Sequence, residues 1–194
     1  MKLIPTASQT VGPFFHFGLE RPAWADLTGG GKAIGDRIRI EGQVRDGDGA
    51  PVQDALLEIW QANAAGKYDH PEDEQEKPVD PGFRGFGRCA TDAQGRYAFT
   101  TVRPGRVPGR GNTLQAPHVN MTIFARGLLK HLVTRVYFAD RSAANESDPV
   151  LATIDDPVAR RTLLASAGAT EGGVTTYRFD IILQGDGETV FFEA

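Results

Sequence analysis

The segment Leu56-Leu57-Glu58-Ile59-Trp60-Gln61-Ala62-Asn63-Ala64-Ala65-Gly66-Lys67-Tyr68 decides the fold of this chain. Its first five residues alternate with the period of two that is typical of a strand between two layers. Leu57 and Ile59 share one side, and Glu58 and Trp60 share the other. Gly66 gives the backbone freedom to turn, which presents Tyr68 at a strand end, where scaffolds often carry functional groups. Taken alone, the segment is more simply explained as a core strand with a glycine turn and a packing tyrosine.

The segment closes a longer ordered pattern that begins at Ile40. Residues 40–44 read Ile-x-Gly-x-Val, Gly49 and Val52 follow, and then come Leu57-Glu58-Ile59 and Gly66-x-Tyr68. This order of positions resembles the signature of the intradiol ring-cleaving dioxygenases, iron(III) enzymes that split catechols between their two hydroxyls. The resemblance implies a β-sandwich fold and an oxidoreductase function that incorporates both atoms of O₂.

Composition narrows the class of protein independently. A length of 194 residues suits one domain with an appended arm. The net charge of -4, with no basic stripe, argues against a nucleic-acid surface. The single cysteine, Cys89, rules out an intrachain disulfide and fits a reducing compartment. With no signal peptide and no apolar run of membrane-spanning length, the sequence predicts a cytoplasmic protein.

Strand patterns recur along most of the chain. Period-two alternation predicts strands over 37–44, 56–60, 96–102, 119–124, 132–138 and 176–183, and a final one over 190–192. One helix is predicted within 149–168, with Asp155 or Asp156 as the cap, Pro157 in the first turn and Gly168 as the stop. The sequence therefore predicts an all-β fold, a two-sheet β-sandwich with an extended N-terminal arm and one short helical segment.

The N-terminal residues differ from this pattern. Residues 1–35 contain a polar stretch, the Gly12-Pro13 step and three phenylalanines at positions 14, 15 and 17, which need a surface to bury them. They are predicted to form an arm that packs on the core of the same chain or, more specifically, on a partner chain. Residues 36–194 are predicted to form the dioxygenase-like domain.

The resemblance also identifies positions for metal ligands. In the family, two tyrosinates and two histidines hold iron(III), since a hard trivalent cation prefers anionic oxygen donors. By resemblance these four positions fall on Tyr68, Val107, His118 and Asn120. Val107 has no donor atom, and Asn120 offers only a neutral amide. The expectation is a degenerate site that holds no metal.

A metal-free member of this family can still serve an enzyme through a partner. The arm, the Ala-Pro-His-Val-Asn segment at 116–120 and the C-terminal residues resemble the iron-free α chains that pair with an iron-bearing β chain of the same fold. That likeness implies that Thr10, Gly12 and Pro13 contact substrate in the partner's pocket and that the β chain binds Fe(3+). It also implies that this chain has no catalytic residue. The reaction implied for the two-chain enzyme is cleavage of 3,4-dihydroxybenzoate with O₂ to 3-carboxy-cis,cis-muconate.

Arg135 is the last candidate for substrate binding. It shares a strand face with Val133 and Tyr137, so simple exposure does not explain it. The functional hypothesis is that its guanidinium contacts the substrate's carboxylate across the subunit boundary. The alternative is a structural ion pair with an acidic residue.

Two other function classes remain open at this point. One is a stand-alone β-sandwich module that binds a small ligand. The other is a homo-oligomeric catechol-type dioxygenase whose metal ligands lie at other positions. Purification together with an equimolar second chain of similar size would argue against the first class. The absence of tyrosinate-to-iron absorption in the chain expressed alone would argue against the second.

Overall fold

The structure is a computed structural model that describes residues 5–12 and 14–193. Strands dominate, and the described helices are short. The α-helices are α1 (Phe14–Leu19), α2 (Ser142–Glu146) and α3 (Pro157–Arg161), and 3-10 turns cover Pro22–Ala25, Ala139–Arg141 and Leu151–Thr153. The strands are β1 (Arg37–Arg45), β2 (Leu56–Trp60), β3 (Phe86–Ala90), β4 (Arg96–Val102), β5 (Val107–Pro108), β6 (Leu114–Gln115), β7 (His118–Phe124), β8 (Leu132–Phe138), β9 (Leu164–Glu171), β10 (Val174–Arg178) and β11 (Ile181–Ile182).

Hydrogen bonds connect nine of these strands in one mixed sheet. The order is β11-β1-β10-β9-β8-β7-β2-β3, and β4 pairs with β1 off this path. Strand β9 links the two halves, because its first residues pair parallel with β8 and its later residues pair antiparallel with β10. Strands β5 and β6 form a separate two-stranded hairpin beside the sheet. The expectation of a β-rich chain with few helices is confirmed.

A single apolar cluster joins the two halves of the sheet. Ile40 on β1 and Phe99 on β4 are fully buried in the same cluster as Ile59 on β2 and Met121 on β7. Burial of such side chains is the main favourable contribution to folding. Because side chains alternate along a strand, Trp60 on β2 lies on the opposite face from Ile59, where the pocket described below is located.

The prediction of one helix within 149–168 is correct only for residues Pro157–Arg161. Helix α3 does begin at Pro157, and the Asp156 carboxylate caps it by accepting from the Val158 amide at 2.8 Å. It ends at Arg161, and Leu164 starts strand β9. The alanine-rich sequence favours a helix locally, but pairing of β9 with β8 and burial of Ala165 in the core outweigh that modest preference.

The expectation of one helical segment is also wrong, since α1 and α2 accompany α3. Each has five or six residues, fewer than two turns, which is too short to produce a readable apolar period. Tertiary contacts hold them instead. The Asn145 amide on α2, for example, donates to the Phe138 carbonyl at the end of β8 at 2.9 Å. Among the described residues, every helix is too short or too polar to span a bilayer.

Part of the predicted arm belongs to the core. The Leu27 side chain is fully buried in the main cluster, and its amide donates to the Thr100 carbonyl at 2.8 Å. Earlier in the chain, the Phe15 ring lies 5.4 Å from that of Phe124, on the outer face of β7. Phe14 and Phe17 are 82% and 65% exposed. The division at residue 35 and the packing of the arm on a partner both stay predictions.

Candidate functional site

Three neighbouring strands build the floor of the site. Trp60 on β2 lies directly opposite Asn120 on β7, and Asn120 lies directly opposite Arg135 on β8. Residues in register on adjacent strands direct their side chains to the same face. Since Val119 and Met121 of β7 point into the core, this row of side chains faces the opposite way, toward a pocket.

The pocket has a volume of about 770 Å³, within the range of small-molecule sites. Residues from the turn after β2 and from the β5–β6 hairpin form its walls. The lining residues are Trp60, Tyr68, His70, Glu72, Asp73, Glu74, Gln75, Val107, Pro108, Gln115, His118 and Arg135.

Tyr68 forms one aromatic wall of the pocket. Its ring stacks on that of Trp60, with centroids 5.8 Å apart and planes inclined by 12°. Burial raises the pKa of Tyr68, although the charge of Arg135 and a hydrogen bond with Asn120 oppose the rise. The side chain is therefore a neutral phenol at physiological pH, not a tyrosinate.

An ion pair and several hydrogen bonds fix the loop that follows Tyr68. Lys67 lies 3.3 Å from the Asp73 carboxylate and donates to the Gln75 carbonyl at 2.8 Å. Asp73 in turn accepts from the Tyr68 amide at 2.7 Å. Burial alone would raise the pKa of Asp73, but hydrogen bonds from Tyr68, Gln75 and Lys67 outweigh it and lower the pKa to about 2. These interactions therefore hold the loop in a fixed position at the rim of the pocket.

His118 presents a defined tautomer to the pocket. Its Nδ1 lies 2.8 Å from the Ala116 carbonyl oxygen, which only accepts, so Nδ1 carries the proton. Burial, reinforced by the charge of Arg135, lowers the pKa of His118 to about 4. The ring is therefore neutral, and its Nε2 is left as a hydrogen-bond acceptor.

Arg135 has neutral partners. Its Nη1 donates to Gln115 Oε1 at 2.7 Å and to the Tyr137 hydroxyl at 3.4 Å. Across residues 5–12 and 14–193, no carboxylate lies within ion-pair distance of this guanidinium. The structural ion pair considered from the sequence is therefore not present among those residues.

The four positions that correspond to the family's metal ligands converge here. Tyr68, Val107 and His118 line the pocket, and Asn120 contacts Tyr68. Their chemistry does not fit iron(III), because buried Val107 has no lone pair and Asn120 is an uncharged amide. Within the described chain, no group of three His, Cys, Asp or Glu side chains is placed to hold a metal ion.

The arm residues named from the sequence lie elsewhere. The Thr10 hydroxyl accepts from the Gly127 amide at 2.8 Å. Gly127 follows the C-terminal end of β7, whereas His118 lies at the N-terminal end of that strand. The Gly12 carbonyl accepts from the Phe15 amide at 3.0 Å. Pro13 falls outside the described residues. The structure thus separates Thr10 and Gly12 from the pocket that contains Arg135.

Sequence reasoning missed Gln115 and Asp148. Gln115 on β6 orients the Arg135 guanidinium, and no local pattern singled it out. Asp148 is fully buried, and its Oδ2 accepts from the Ala116 amide at 2.7 Å, which fixes the segment that leads into His118. A lone aspartate in a Ser-Asp-Pro step gave no signal beyond a turn.

Comparisons with known proteins agree with this geometry. The dioxygenase family model (Dioxygenase_C) matches residues 12–185. The chain is 42% identical over 205 residues to the protocatechuate 3,4-dioxygenase alpha chain of Pseudomonas putida, covering 100% of this chain and 98% of that one. It is 41% identical over 167 residues to the protocatechuate 3,4-dioxygenase beta chain of Burkholderia cepacia, covering 80% of this chain and 67% of the other.

A solved structure shows the same fold. The 3-chlorocatechol 1,2-dioxygenase of Rhodococcus opacus 1CP superposes with a TM-score of 0.63 at 24% identity, over 94% of this chain and 69% of that one. The β-rich architecture is therefore that of intradiol dioxygenases.

Proposed function

Because this chain belongs to the intradiol ring-cleaving dioxygenase family, we propose that it is the iron-free α-type subunit of a two-chain dioxygenase. Its substrate in this proposal is 3,4-dihydroxybenzoate, and the product is 3-carboxy-cis,cis-muconate. The reaction inserts both atoms of O₂ and opens the ring between the two hydroxyl-bearing carbons. The assembly acts in the cytoplasm, in the breakdown of aromatic compounds.

One observation carries the proposal. The full-length likeness is to an alpha chain, and two of the four positions that correspond to the family's metal ligands, Val107 and Asn120, carry no suitable donor. Intradiol dioxygenases are iron enzymes, so a chain with this donor set needs a partner that holds the metal. A chain similar to the beta chain of Burkholderia cepacia, with the same two-sheet β-sandwich, is that partner.

The arm provides the contact with the partner in this proposal. Exposed Phe14 and Phe17 form an apolar surface on the arm, 6.5 Å apart between ring centroids. Burying them against a second chain removes that surface from water. Thr10, Gly12 and Pro13 then line the partner's pocket, where they offer backbone groups and a rigid proline edge to a flat aromatic ring.

The chemistry is divided between the two chains. The partner's Fe(3+) supplies the redox chemistry on the chelated catecholate when it is bound. This chain contributes a pocket wall and the exclusion of water, and none of its residues transfers a proton or an electron to the reacting atoms.

Expression of this chain alone and together with a β-type chain tests the proposal. Iron content per chain and O₂ uptake with 3,4-dihydroxybenzoate are measured on each preparation. We expect no stoichiometric iron and no uptake alone, and both in an equimolar complex. One iron per chain with activity alone would instead establish a homo-oligomeric dioxygenase, and failure to associate with the β-type chain would leave a ligand-binding module.

A further inference from the structure

The N-terminal arm is attached to its own chain at three points, and the segment between them projects from the surface. We infer that the end of β7 and the turn that follows it position this segment, here called the arch, so that it meets the partner chain already in its bound conformation. The arch comprises residues 10–19, of which the structure describes 10–12 and 14–19. Its role in the partner's pocket rests on the proposed function, whereas its attachment to its own chain does not.

The first point of attachment is a hydrogen bond to a turn. The Leu128 amide donates to the Ala125 carbonyl at 3.3 Å and closes a β-turn in which Gly127 occupies the third position. Gly127 has a φ of +87°, as the third residue of a type II turn does, and glycine adopts this value without strain. Since the turn uses only the amide of its fourth residue, the Gly127 amide is available to donate to the Thr10 hydroxyl at 2.8 Å.

An aromatic contact forms the second point. The Phe15 ring lies 5.4 Å from that of Phe124, which in turn lies 5.6 Å from the ring of His131. Aromatic pairs at these separations contribute stability beyond the area that they bury. Phe15 also lines the same groove as Leu128 of the turn. The end of β7 and its turn therefore contact the arch both before and after Gly12.

The third point is the carbonyl group at the end of α1. The Leu19 carbonyl accepts from Arg88 Nη1 at 3.2 Å. Arg88 Nε donates to the Glu58 carboxylate at 2.8 Å, and the guanidinium lies 5.2 Å from the centre of the Trp24 ring. Because Glu58 and Arg88 lie directly opposite each other on β2 and β3, this end of the arch is fixed to the sheet.

The middle of the arch faces away from its own chain. Gly12 is exposed, and a Cβ added there would meet no atom within 4 Å apart from its chain neighbours. Phe14 is 82% exposed, and its ring lies 6.5 Å from the exposed ring of Phe17. Residues 10–15 carry no charged side chain, so a partner can cover them without burying an unpaired ion. The arch thus offers an uncharged, largely apolar projection to the partner chain.

Attachment before assembly lowers the cost of binding. A flexible segment loses conformational entropy when a partner orders it, whereas a segment that is already held loses much less. Gly127 and Phe124 therefore act through the arch, as positioning residues, without contacting the substrate. Loss of either contact should weaken substrate binding in the assembled enzyme and leave the chemical step unchanged.

Hydrogen exchange in the full chain without a partner tests the attachment. The Gly127 amide lies on an exposed turn with the Thr10 hydroxyl as its acceptor, so its exchange rate reports the contact directly. Thr10→Val removes the hydroxyl with little change of shape and should raise that rate at least about threefold. Thr10→Ser keeps the hydroxyl and should behave as the wild type does. Thr170→Val, at an exposed hydroxyl on β9, is the matched control. Equal Gly127 exchange rates in the wild type and Thr10→Val would overturn the inference.

Kinetics of the assembled enzyme test the positioning role. Phe124→Ala removes the second contact from a strand position outside the arch. With the β-type chain in excess and loaded with iron, it should raise the KM for 3,4-dihydroxybenzoate about 2- to 10-fold. The kcat should stay within about twofold, since a loss of binding common to the ground and transition states changes KM alone.

Two controls and two readouts separate the possible outcomes. Phe124→Tyr keeps the ring, and Thr170→Val lies outside the arch, so both should match the wild type in KM. Circular dichroism and size-exclusion chromatography confirm folding and assembly before the kinetics. Equal KM values for the wild type and assembled Phe124→Ala would overturn the positioning role. A wild-type mixture without activity would instead overturn the proposed function, and the exchange rate of Gly127 would still decide whether the arch is attached.

Discussion

The Tyr137 hydroxyl donates a hydrogen bond to the Asp148 Oδ1 at 3.2 Å, deep beside the pocket. Burial raises the pKa of Tyr137, so the hydroxyl keeps its proton and remains a donor. Asp148 also accepts from the backbone amides of Ala116, Val150 and Leu151, at 2.7, 2.9 and 2.9 Å. One carboxylate therefore connects the end of β8, the entry to β7 and the turn before α3.

Asp148→Ala should destabilise the chain strongly. It removes the acceptor from several buried donors, which we expect to lower the free energy of unfolding by about 3–5 kcal/mol. Urea unfolding measures the change. Asp186→Ala is the control, because Asp186 is exposed and should shift stability by less than about 0.5 kcal/mol. Equal effects of the two substitutions would show that the network contributes little.

The free energy of unfolding should decrease as the pH is lowered from about 6.5 to about 4, because of His118. The unfolded chain takes up a proton there that the native ring resists, since the native pKa is about 4 against 6.5. The contribution is roughly 3 kcal/mol in size.

A histidine variant isolates that effect. His118→Gln should flatten the stability profile across this window, while His70→Gln, at an exposed site, should leave it intact. Asp73, with a native pKa of about 2 against 3.8, loses its contribution only at lower pH and does not obscure the result. A profile unchanged by His118→Gln would contradict the prediction.

Gly42→Ala should disrupt the pairing of β1 with the segment before β11. A Cβ at Gly42 would overlap the Phe179 carbonyl oxygen, a backbone atom that cannot turn away. We expect a loss of more than about 3 kcal/mol, measured by thermal unfolding. Gly18→Ala, at a position with open space around it, is the control and should change stability by less than about 1 kcal/mol.

Restoring the missing ligand types tests the interpretation of the pocket. The double variant Val107→Tyr and Asn120→His should gain affinity for iron(III) and a visible tyrosinate charge-transfer band, because it completes the family's four donors. Either single change leaves three donors and should remain colourless. A colourless double variant that still folds would mean that the residues around these positions no longer support metal binding.

Local sequence was sufficient for most of the strands and for the position of the pocket. Alternation predicted Arg96–Val102 and Leu132–Phe138 with the bounds that the structure has. The ordered pattern from Ile40 to Tyr68 identified the family, and the close approach of Phe179 gives the glycine at position 42 a physical reason. Tyr68, Val107 and His118, which the family resemblance implied as ligand positions, line one pocket.

Only the tertiary structure decided three further features. Leu164–Glu171 became a strand because parallel pairing with β8 and burial of Ala165 outweigh a weak helix preference. Arg135 lies in its own chain's pocket beside Gln115, a contact between residues on different strands that no local pattern encodes. The neutral state of His118 depends on burial and on the nearby guanidinium. Periodicity records which face of an element is apolar, whereas pairing partners and local electric fields arise only when distant segments meet.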